Sequence, residues 1–359
     1  MKPFFKWSGG KRKEVPIVRK FMPKEFDVFY EPFVGGGAIW LDLEHDKSVV
    51  NDNYSEVMNF YEVLRNDTTK LIDVINSISH SYGQEMAKAE KNKNSKLKKQ
   101  TTALKKEVEK IGSPYYKDIL EACKILQELP VDCFNDETKE AFKLLFEKTN
   151  TWEKEYGEKK KSFKALKEKL NEEIYKIADK YYYHYRNNDF ATDFENAVKF
   201  YILRQLSFSG MLRFGADGRF NIPFGWYKSF KGIEQNADDI KRVLNNTTFM
   251  CEDWKKCADK ATEKDFVFLD PPFTRTFTQY HVDGEFGKKE HEDLADWFKT
   301  TKAQVMIIIN KDEFTESLYN DYIICEYDHK YSIQYRDRMT EKDSNAQHFV
   351  AINYKLHTA

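Results

Sequence analysis

The residues best suited to chemistry are Asp270-Pro271-Pro272-Phe273, which follow the apolar run Phe266 to Leu269. An apolar run that ends in an acid and two prolines reads as a buried strand that cannot continue, because proline has no N–H to give a ladder. The acid is thereby held at the carboxyl end of a strand, where open α/β sheets bind ligands. The proline pair leaves carbonyl groups without neighbouring amide donors, so the Asp270 carboxylate and a carbonyl can converge on both hydrogens of one exocyclic NH2. Such an amine is a poor nucleophile, since its lone pair is delocalised into the ring. Two acceptors favour a pyramidal nitrogen and stabilise the positive charge that develops on it. Phe273 adds a face on which a base can stack. The plainer alternative is a strand-end turn with a packed Phe, and the tetrad by itself leaves both open.

A second motif, Tyr30-Glu31-Pro32-Phe33-Val34-Gly35-Gly36-Gly37-Ala38-Ile39, runs a short strand into three glycines and then a helical pattern. Glycines there let the backbone approach a ligand closely. The run is neither a GxGxxG fingerprint nor a Walker loop, so a phosphate-free adenosyl ligand suits it better than a phosphate. Ser48 to Asn53 follows as a second strand ending in Asp52, the placement from which a carboxylate holds ribose hydroxyls. Taken alone, Asp52 would read as a helix cap. Lys6-Trp7-Ser8-Gly9-Gly10-Lys11-Arg12-Lys13 sets an aromatic, two glycines and four cations side by side; its plain alternative is a mobile basic terminus.

These residues need a sheet to position them. Strand-like runs at Val28 to Tyr30, Ser48 to Asn51, Thr248 to Cys251, Phe266 to Leu269, Val305 to Ile309, Tyr322 to Cys325 and Phe349 to Tyr354 alternate with helical patterns, which predicts an α/β sheet of largely parallel strands. From about 84 to 179 the chain is rich in Lys and Glu, with Leu97, Leu104, Val108, Ile111, Phe163, Leu166, Leu170, Ile174 and Ile177 at helical spacing. This predicts a helical insertion, with turns near Ser113-Pro114 and Leu129-Pro130. The mixed charge reads first as a solvated helical decoration, and a DNA-gripping arm or partner stalk is the functional alternative. Asp217-Gly218, between the runs at Met211 and Phe220, predicts a β-hairpin.

At 359 residues, 41% hydrophobic and 33% charged, the chain reads as a folded protein with a core and a second domain or large insertion. The formal charge of −1 gives no global attraction to nucleic acid, so DNA contact would come from local basic clusters. The five cysteines form no CxxC pair, which argues against a zinc site and a disulfide framework. No metal is expected. Neither a secretory leader nor a membrane-length apolar run is evident, so an intracellular, unsecreted protein is expected.

Together, Lys6-Trp7-Ser8-Gly9-Gly10-Lys11, the Glu31 to Gly37 loop, Asp52 and the Asp270 to Phe273 tetrad resemble the Dam-type (D12 class, alpha arrangement) family of DNA adenine-N6 methyltransferases. The likeness covers residues 1 to about 82 and about 180 to 359, and extends through Phe208 to Phe214 and Phe220 to Gly225. It implies a Rossmann-like class I methyltransferase sheet formed by 1–60 and 245–359. It also implies a mostly helical target-recognition domain over 61–244, carrying the hairpin and the long insertion, which bacterial relatives generally lack at this length.

The same resemblance implies S-adenosylmethionine as cofactor and, as substrate, a flipped adenine in duplex DNA within a short site containing GATC. Asp270, Pro271, Pro272 and Phe273 would be catalytic. Trp7, Lys11, Asp52 and Asp270 would contact cofactor, helped by Glu31, Phe33, Gly35, Gly37 and Asn53, with Asp253 and Trp254 flanking its adenine. Lys6 and Arg213 would contact guanines, Arg213 being the stronger candidate because bidentate Arg–guanine pairing is the commonest specific contact. Phe208 and Ser209 would fill the gap left by the adenine, and Leu212, Arg219 and Asn221 belong to the DNA-reading hairpin. Phe273 departs from the Tyr of many relatives, keeping the stacking face without the hydroxyl. An RNA adenine or DNA cytosine-N4 methyltransferase, or an idle DNA-binding relative, stays open, as do oligomeric state and a cognate restriction endonuclease.

Overall fold

The strand ahead of Asp270 lies at the middle of the sheet, and Phe266, Val267, Phe268 and Leu269 are all fully buried. A parallel strand covered on both faces requires such a continuous apolar run. The protein is seen in a computed structural model that describes residues 1–111, 171–272, 286–330 and 345–356, apart from Ser8, Met211 and Ala216. Among these residues one sheet comprises β1 Phe29–Glu31, β2 Ser48–Asn51, β3 Thr247–Met250, β4 Phe266–Leu269, β5 Gln304–Asn310, β6 Ile323–Lys330 and β7 Asn345–Ile352. Their order is β3-β2-β1-β4-β5-β7-β6. The first five are mutually parallel, with Phe29 of β1 in register with both Ser48 of β2 and Phe266 of β4. β7 runs antiparallel between β5 and β6.

This is a Rossmann-like sheet. The chain turns outward after β1 to β2 and β3, then returns to place β4 on the other side of β1. The order therefore reverses between β1 and β4, and the carboxyl ends of strands at such a switch point are where open α/β sheets bind ligands. β6 and β7 extend beyond the apolar runs that mark them in the sequence. Their antiparallel pairing carries the ladder into polar residues such as Asp328 and Gln347, which periodicity alone does not identify as strand.

The main helices among the described residues are α1 Val15–Phe21, α2 Ala38–Leu43, α3 Ser55–Asn66, α4 Thr68–Ile111, α5 Asp193–Leu206, α6 Ala237–Asn245, α7 Trp254–Ala258, α8 Lys288–Thr300 and α9 Glu313–Tyr319. On one face of the sheet Trp254, Cys257, Leu294, Phe298 and Tyr319 pack on Val267, Leu269, Val305 and Ile307. On the side of β3, Trp40 of α2 and Tyr61 of α3 meet Phe249, and the indole Nε1 of Trp40 donates to Thr247 Oγ1 at 2.9 Å. α5 begins at a capping box in which Thr192 and Glu195 satisfy each other's backbone N–H. Its buried Phe200 and Tyr201 form an aromatic cluster with Phe60 and with Phe5, whose ring lies 5.2 Å from Phe60 and 5.0 Å from Phe200. That cluster anchors the start of the chain, which the sequence leaves open as a mobile terminus.

The chain divides into two compact units. The larger comprises Met1–Ser77, Tyr185–Tyr227 and Lys231–Ala359; the smaller comprises Ile78–His184 and Lys228–Phe230. The larger thus includes, with the sheet, the Tyr185–Tyr227 segment that the sequence reading groups with target recognition. Within the smaller unit Tyr82 packs edge-on to Tyr181, and Ser79 Oγ donates to the Phe230 carbonyl at 2.6 Å. The predicted helical insertion is helical over its described parts, since α4 runs through Leu97, Leu104, Val108 and Ile111 and residues 171–178 are helical, followed by a π-helical turn at Asp179–Tyr183. The predicted turns near Ser113-Pro114 and Leu129-Pro130, with Phe163, Leu166 and Leu170, lie outside the described residues. No helix among the described residues is long and apolar enough to cross a membrane.

The aromatic cluster generates a first prediction. Phe60→Ala should lower stability by about 3–5 kcal/mol, as expected for removing a buried ring, measured by urea unfolding followed through tryptophan fluorescence. A loss below about 1 kcal/mol, typical of an uncritical surface position, would contradict the packing described.

Candidate active site

Asp270 stands immediately after β4, followed by Pro271, which is buried, and Pro272, which is half-buried. Phe273 lies outside the described residues. Asp270 Oδ1 forms an ion pair with Lys11 Nζ at 2.5 Å, and the Lys11 side chain is only 4% exposed. Lys11 reaches this point because Gly9, at φ +74°, turns the chain and a short 3-10 turn follows at Lys11–Lys13. The lysine that the resemblance assigns to cofactor therefore touches the acid assigned to catalysis.

Glu31 ends β1 beside them. Its carboxyl is buried and its Oε2 accepts the Trp40 backbone N–H at 2.9 Å. Burial pushes its pKa well up, and the neighbouring Asp270 and Asp52 charges add to this, against the hydrogen bond from Trp40 and the Lys11 charge. Crowding of carboxylates in one desolvated site disfavours their joint ionisation, and Glu31 is the most deeply buried of the three.

Asp52 follows β2 and closes on the glycine loop. Its Oδ2 accepts the Gly35 N–H at 2.9 Å and its Oδ1 the Tyr54 N–H at 3.0 Å. Burial raises its pKa to about 6 in spite of these two bonds. Gly35 adopts φ +44°, where a side chain is disfavoured, and a Cβ on it would also overlap the Trp7 indole. On Gly36 a Cβ would stand 2.8 Å from Trp7 Cβ. Trp7 therefore lies against the loop, and Tyr61 donates its hydroxyl to the Gly35 carbonyl at 2.9 Å. Gly37, at φ +66°, starts α2.

Asn51, buried beside Asp52, ties the neighbouring loops together. Its Nδ2 donates to the Pro32 and Glu252 carbonyls at 3.0 and 2.9 Å, and its Oδ1 accepts the Glu252 N–H. Beyond β3, Asp253 is exposed and caps α7 by accepting the Lys255 N–H, while Trp254 stacks on Phe33 with centroids 6.2 Å apart. Asn53 is exposed. The carboxyl edge of the sheet thus brings together Trp7, Lys11, Glu31, Phe33, Gly35, Asp52, Trp254 and Asp270.

The remaining predicted residues lie on the segment after α5. Phe208 is 52% exposed, and Ser209 and Gly210 both adopt positive φ. The hairpin closes through the Phe214–Phe220 bridge and the Gly215–Arg219 hydrogen bond. Across it Arg213 Nε donates to Asn221 Oδ1 at 2.6 Å and Nη2 to the Asn221 carbonyl at 3.2 Å. Arg219 is exposed at the turn, whereas Leu212 is buried. Lys6 is exposed, with its ammonium 4.3 Å from the Tyr227 ring centre.

Sequence reasoning missed Asn51, Tyr61 and Arg204, all of which read as ordinary polar or core positions in an apolar pattern. Among the described residues no group of His, Cys, Asp and Glu is arranged to hold a metal ion.

Comparison with known proteins gives the site a family. The family described as D12 class N6 adenine-specific DNA methyltransferase matches residues 7–129 and 134–333. A type II methyltransferase, M.CviBI, from Paramecium bursaria Chlorella virus NC1A is 24% identical over 357 residues, covering 99% of this chain and 100% of the relative. A DNA adenine methylase from Haemophilus influenzae is 22% identical over 328 residues, 89% of this chain and 83% of the relative. Another from Escherichia coli is 22% identical over 298 residues, 82% of this chain and 74% of the relative. The family match corrects the extent of the resemblance: it runs into the Lys- and Glu-rich insertion, which motif reading leaves out because solvated helices carry few chemistry-bearing residues.

The glycine loop yields a prediction that separates strain from collision. Gly218 also has positive φ, +72°, but a Cβ there meets nothing within 4 Å. Gly218→Ala should cost about 1 kcal/mol from backbone strain, and Gly35→Ala at least about 2 kcal/mol more through the clash with Trp7. Equal losses in denaturant unfolding would show that Trp7 does not lie against the loop.

Proposed function

The chain belongs to the D12 class N6 adenine-specific DNA methyltransferase family, and from that membership we propose that it methylates the N6 amino group of an adenine flipped out of duplex DNA, with S-adenosylmethionine as donor. The observation that carries this reading is the setting of Asp270, held by Lys11 at the carboxyl end of β4 and followed by two prolines.

The residues at the strand ends suit an adenosyl ligand. Asp52 offers a carboxylate to ribose hydroxyls, the Gly35 backbone lets Trp7 close on the loop, and Phe33 with Trp254 offers aromatic walls for an adenine. Trp7, Glu31, Gly37, Asn53 and Asp253 complete the proposed cofactor surroundings, Lys11 acting there chiefly through Asp270. When bound, the cofactor supplies an electrophilic methyl group on a sulfonium.

The protein's own part is to bind and orient the base. The Asp270 carboxylate and the Pro271 carbonyl accept the two hydrogens of the adenine amine, which directs its lone pair out of the ring plane. Their negative potential then stabilises the charge that develops on nitrogen. Phe273 is assigned to stacking against the flipped base.

On the DNA side, Arg213 is proposed to read guanine with an orientation set by Asn221, and Lys6 to read a second guanine. Phe208 and Ser209 occupy the space vacated by the adenine. Leu212, being buried, supports the hairpin from beneath, and Arg219 is available to DNA at its tip. The proposed target is a short duplex site containing GATC, on the strength of the Lys6 and Leu212-Arg213 resemblance. The type II name of the viral relative supports a place beside a restriction endonuclease.

Transfer of tritiated methyl from S-adenosylmethionine to duplex DNA tests the reaction. Wild type should label adenine and Asp270→Ala should be reduced at least about 100-fold, the scale of losing a transition-state contact; activity that persists in Asp270→Ala would sink the catalytic assignment. Sequencing of methylated adenines should return GATC, and a motif without it would refute the proposed specificity.

Asp52 also sets a pH dependence. With its pKa at about 6, the carboxyl is ionised at pH 7.5 and gains a proton as the pH falls through 6, losing the negative acceptor that a ribose hydroxyl prefers. Cofactor affinity should therefore weaken as pH falls from 7.5 to 5, by up to about tenfold because roughly a tenth of the group stays ionised one unit below its pKa. Asp52→Asn should bind more weakly with a flat profile; an unchanged profile would remove Asp52 from the cofactor site.

A further inference from the structure

Arg204, near the end of α5, has a side chain that is almost wholly buried, 1% exposed. A guanidinium is expensive to remove from water, so one buried in a core is held by specific contacts. Here Nε and Nη2 both donate to the backbone carbonyl of Lys6, at 3.1 and 2.6 Å. The guanidinium carbon lies 5.0 Å from the centre of the Trp7 ring, within cation–π range. One side chain thus fixes the peptide of residue 6 and the ring of residue 7.

Those two residues face different ligands in the proposed function. Lys6 points its ammonium over Tyr227, and its stem lies against Gly210, where an added Cβ would come within 3.3 Å of Lys6 Cβ. It therefore sits on the DNA-reading segment. Trp7 lies on Gly35 and Gly36, the loop that Asp52 holds, and therefore sits on the cofactor side. Arg204 itself is on the helix that leads, through the Ser207–Phe224 bridge, into Phe208 and the hairpin. The contacts of a single buried cation span both.

We propose that Arg204 is a positioning residue that couples guanine reading by Lys6 to cofactor binding at Trp7, so that each ligand raises the affinity of the protein for the other. The proposal rests on the DNA and cofactor roles assigned above. Ordering of Trp7 against the loop by cofactor holds the shared peptide, so part of the ordering cost of Lys6 is met before DNA arrives. Linkage requires the effect to be equal in the reverse direction. Lysine cannot replace arginine here. It carries the same charge but has neither a planar face for Trp7 nor two directed donors for one carbonyl.

The test uses the full chain and an unreactive product, S-adenosylhomocysteine, whose dissociation constant is measured with and without saturating duplex that carries the methylation site. For wild type, duplex should tighten binding about tenfold, within the usual range of coupling between sites. Arg204→Lys should melt within a few degrees of wild type yet retain less than half of that ratio on a logarithmic scale. Lys6→Ala, which leaves the core untouched, should reduce the ratio as far, with no further fall in the double variant. A role confined to filling the core would leave the ratio of Arg204→Lys at the wild-type value, and that result, or a wild-type ratio of one, would overturn the proposal. If Arg204→Lys fails to fold, Lys6→Ala decides alone, an unchanged ratio counting against the coupling. Failure of wild type to bind either ligand would instead overturn the functional reading, and this proposal with it.

Discussion

Three carboxyl groups, Glu31, Asp52 and Asp270, are brought to the carboxyl edge of neighbouring parallel strands, where burial makes their charge costly. The site is tenable because a specific donor meets each one. Trp40 N–H serves Glu31, the Gly35 and Tyr54 N–H groups serve Asp52, and the Lys11 ammonium serves Asp270. Each donor constrains the fold around it. Gly35 can present its N–H only with φ in the left-handed region, which excludes most residues from that position. Lys11 can reach Asp270 only if the opening segment is held across the edge of the sheet, and the aromatic cluster of Phe5, Phe60 and Phe200 supplies that hold.

Much of this frame was legible in the sequence. Uninterrupted apolar runs marked the central strands, and β2 and β4 begin and end where those runs do. The proline pair after Asp270 and the glycines after Glu31 announced their positions because each has a backbone consequence that other residues cannot reproduce. The antiparallel pair was less legible, since β6 and β7 are lengthened by pairing with each other rather than by their own pattern.

What the sequence could not show were contacts between distant positions. Lys11 and Asp270 belong to different motifs, and nothing in either specifies an ion pair. Arg204 interrupts an apolar helical stretch, a position that periodicity assigns to a polar face, whereas the structure turns it inward onto Lys6 and Trp7. Arg213 and Asn221 were both visible as hairpin residues, but their mutual hydrogen bonds depend on the register of the turn. Leu212 keeps its place in the run, and its burial is not something its position in the motif announces. Over its described residues the insertion was legible as helix, but its membership in the family length emerged only by comparison, because charged helical surfaces carry little motif information.

The central claim is that Asp270 acts on the adenine amine after the base has left the stack, and Asp270→Asn, which keeps the shape and removes the charge, isolates that step. The decisive measurement is the single-turnover methyl-transfer rate on saturating duplex, with flipping followed in parallel by the fluorescence of 2-aminopurine at the target position. The account predicts that flipping persists while transfer slows by about 100-fold or more, the scale of a lost transition-state contact. Transfer within about tenfold of wild type, worth only about 1.4 kcal/mol of barrier, would contradict it.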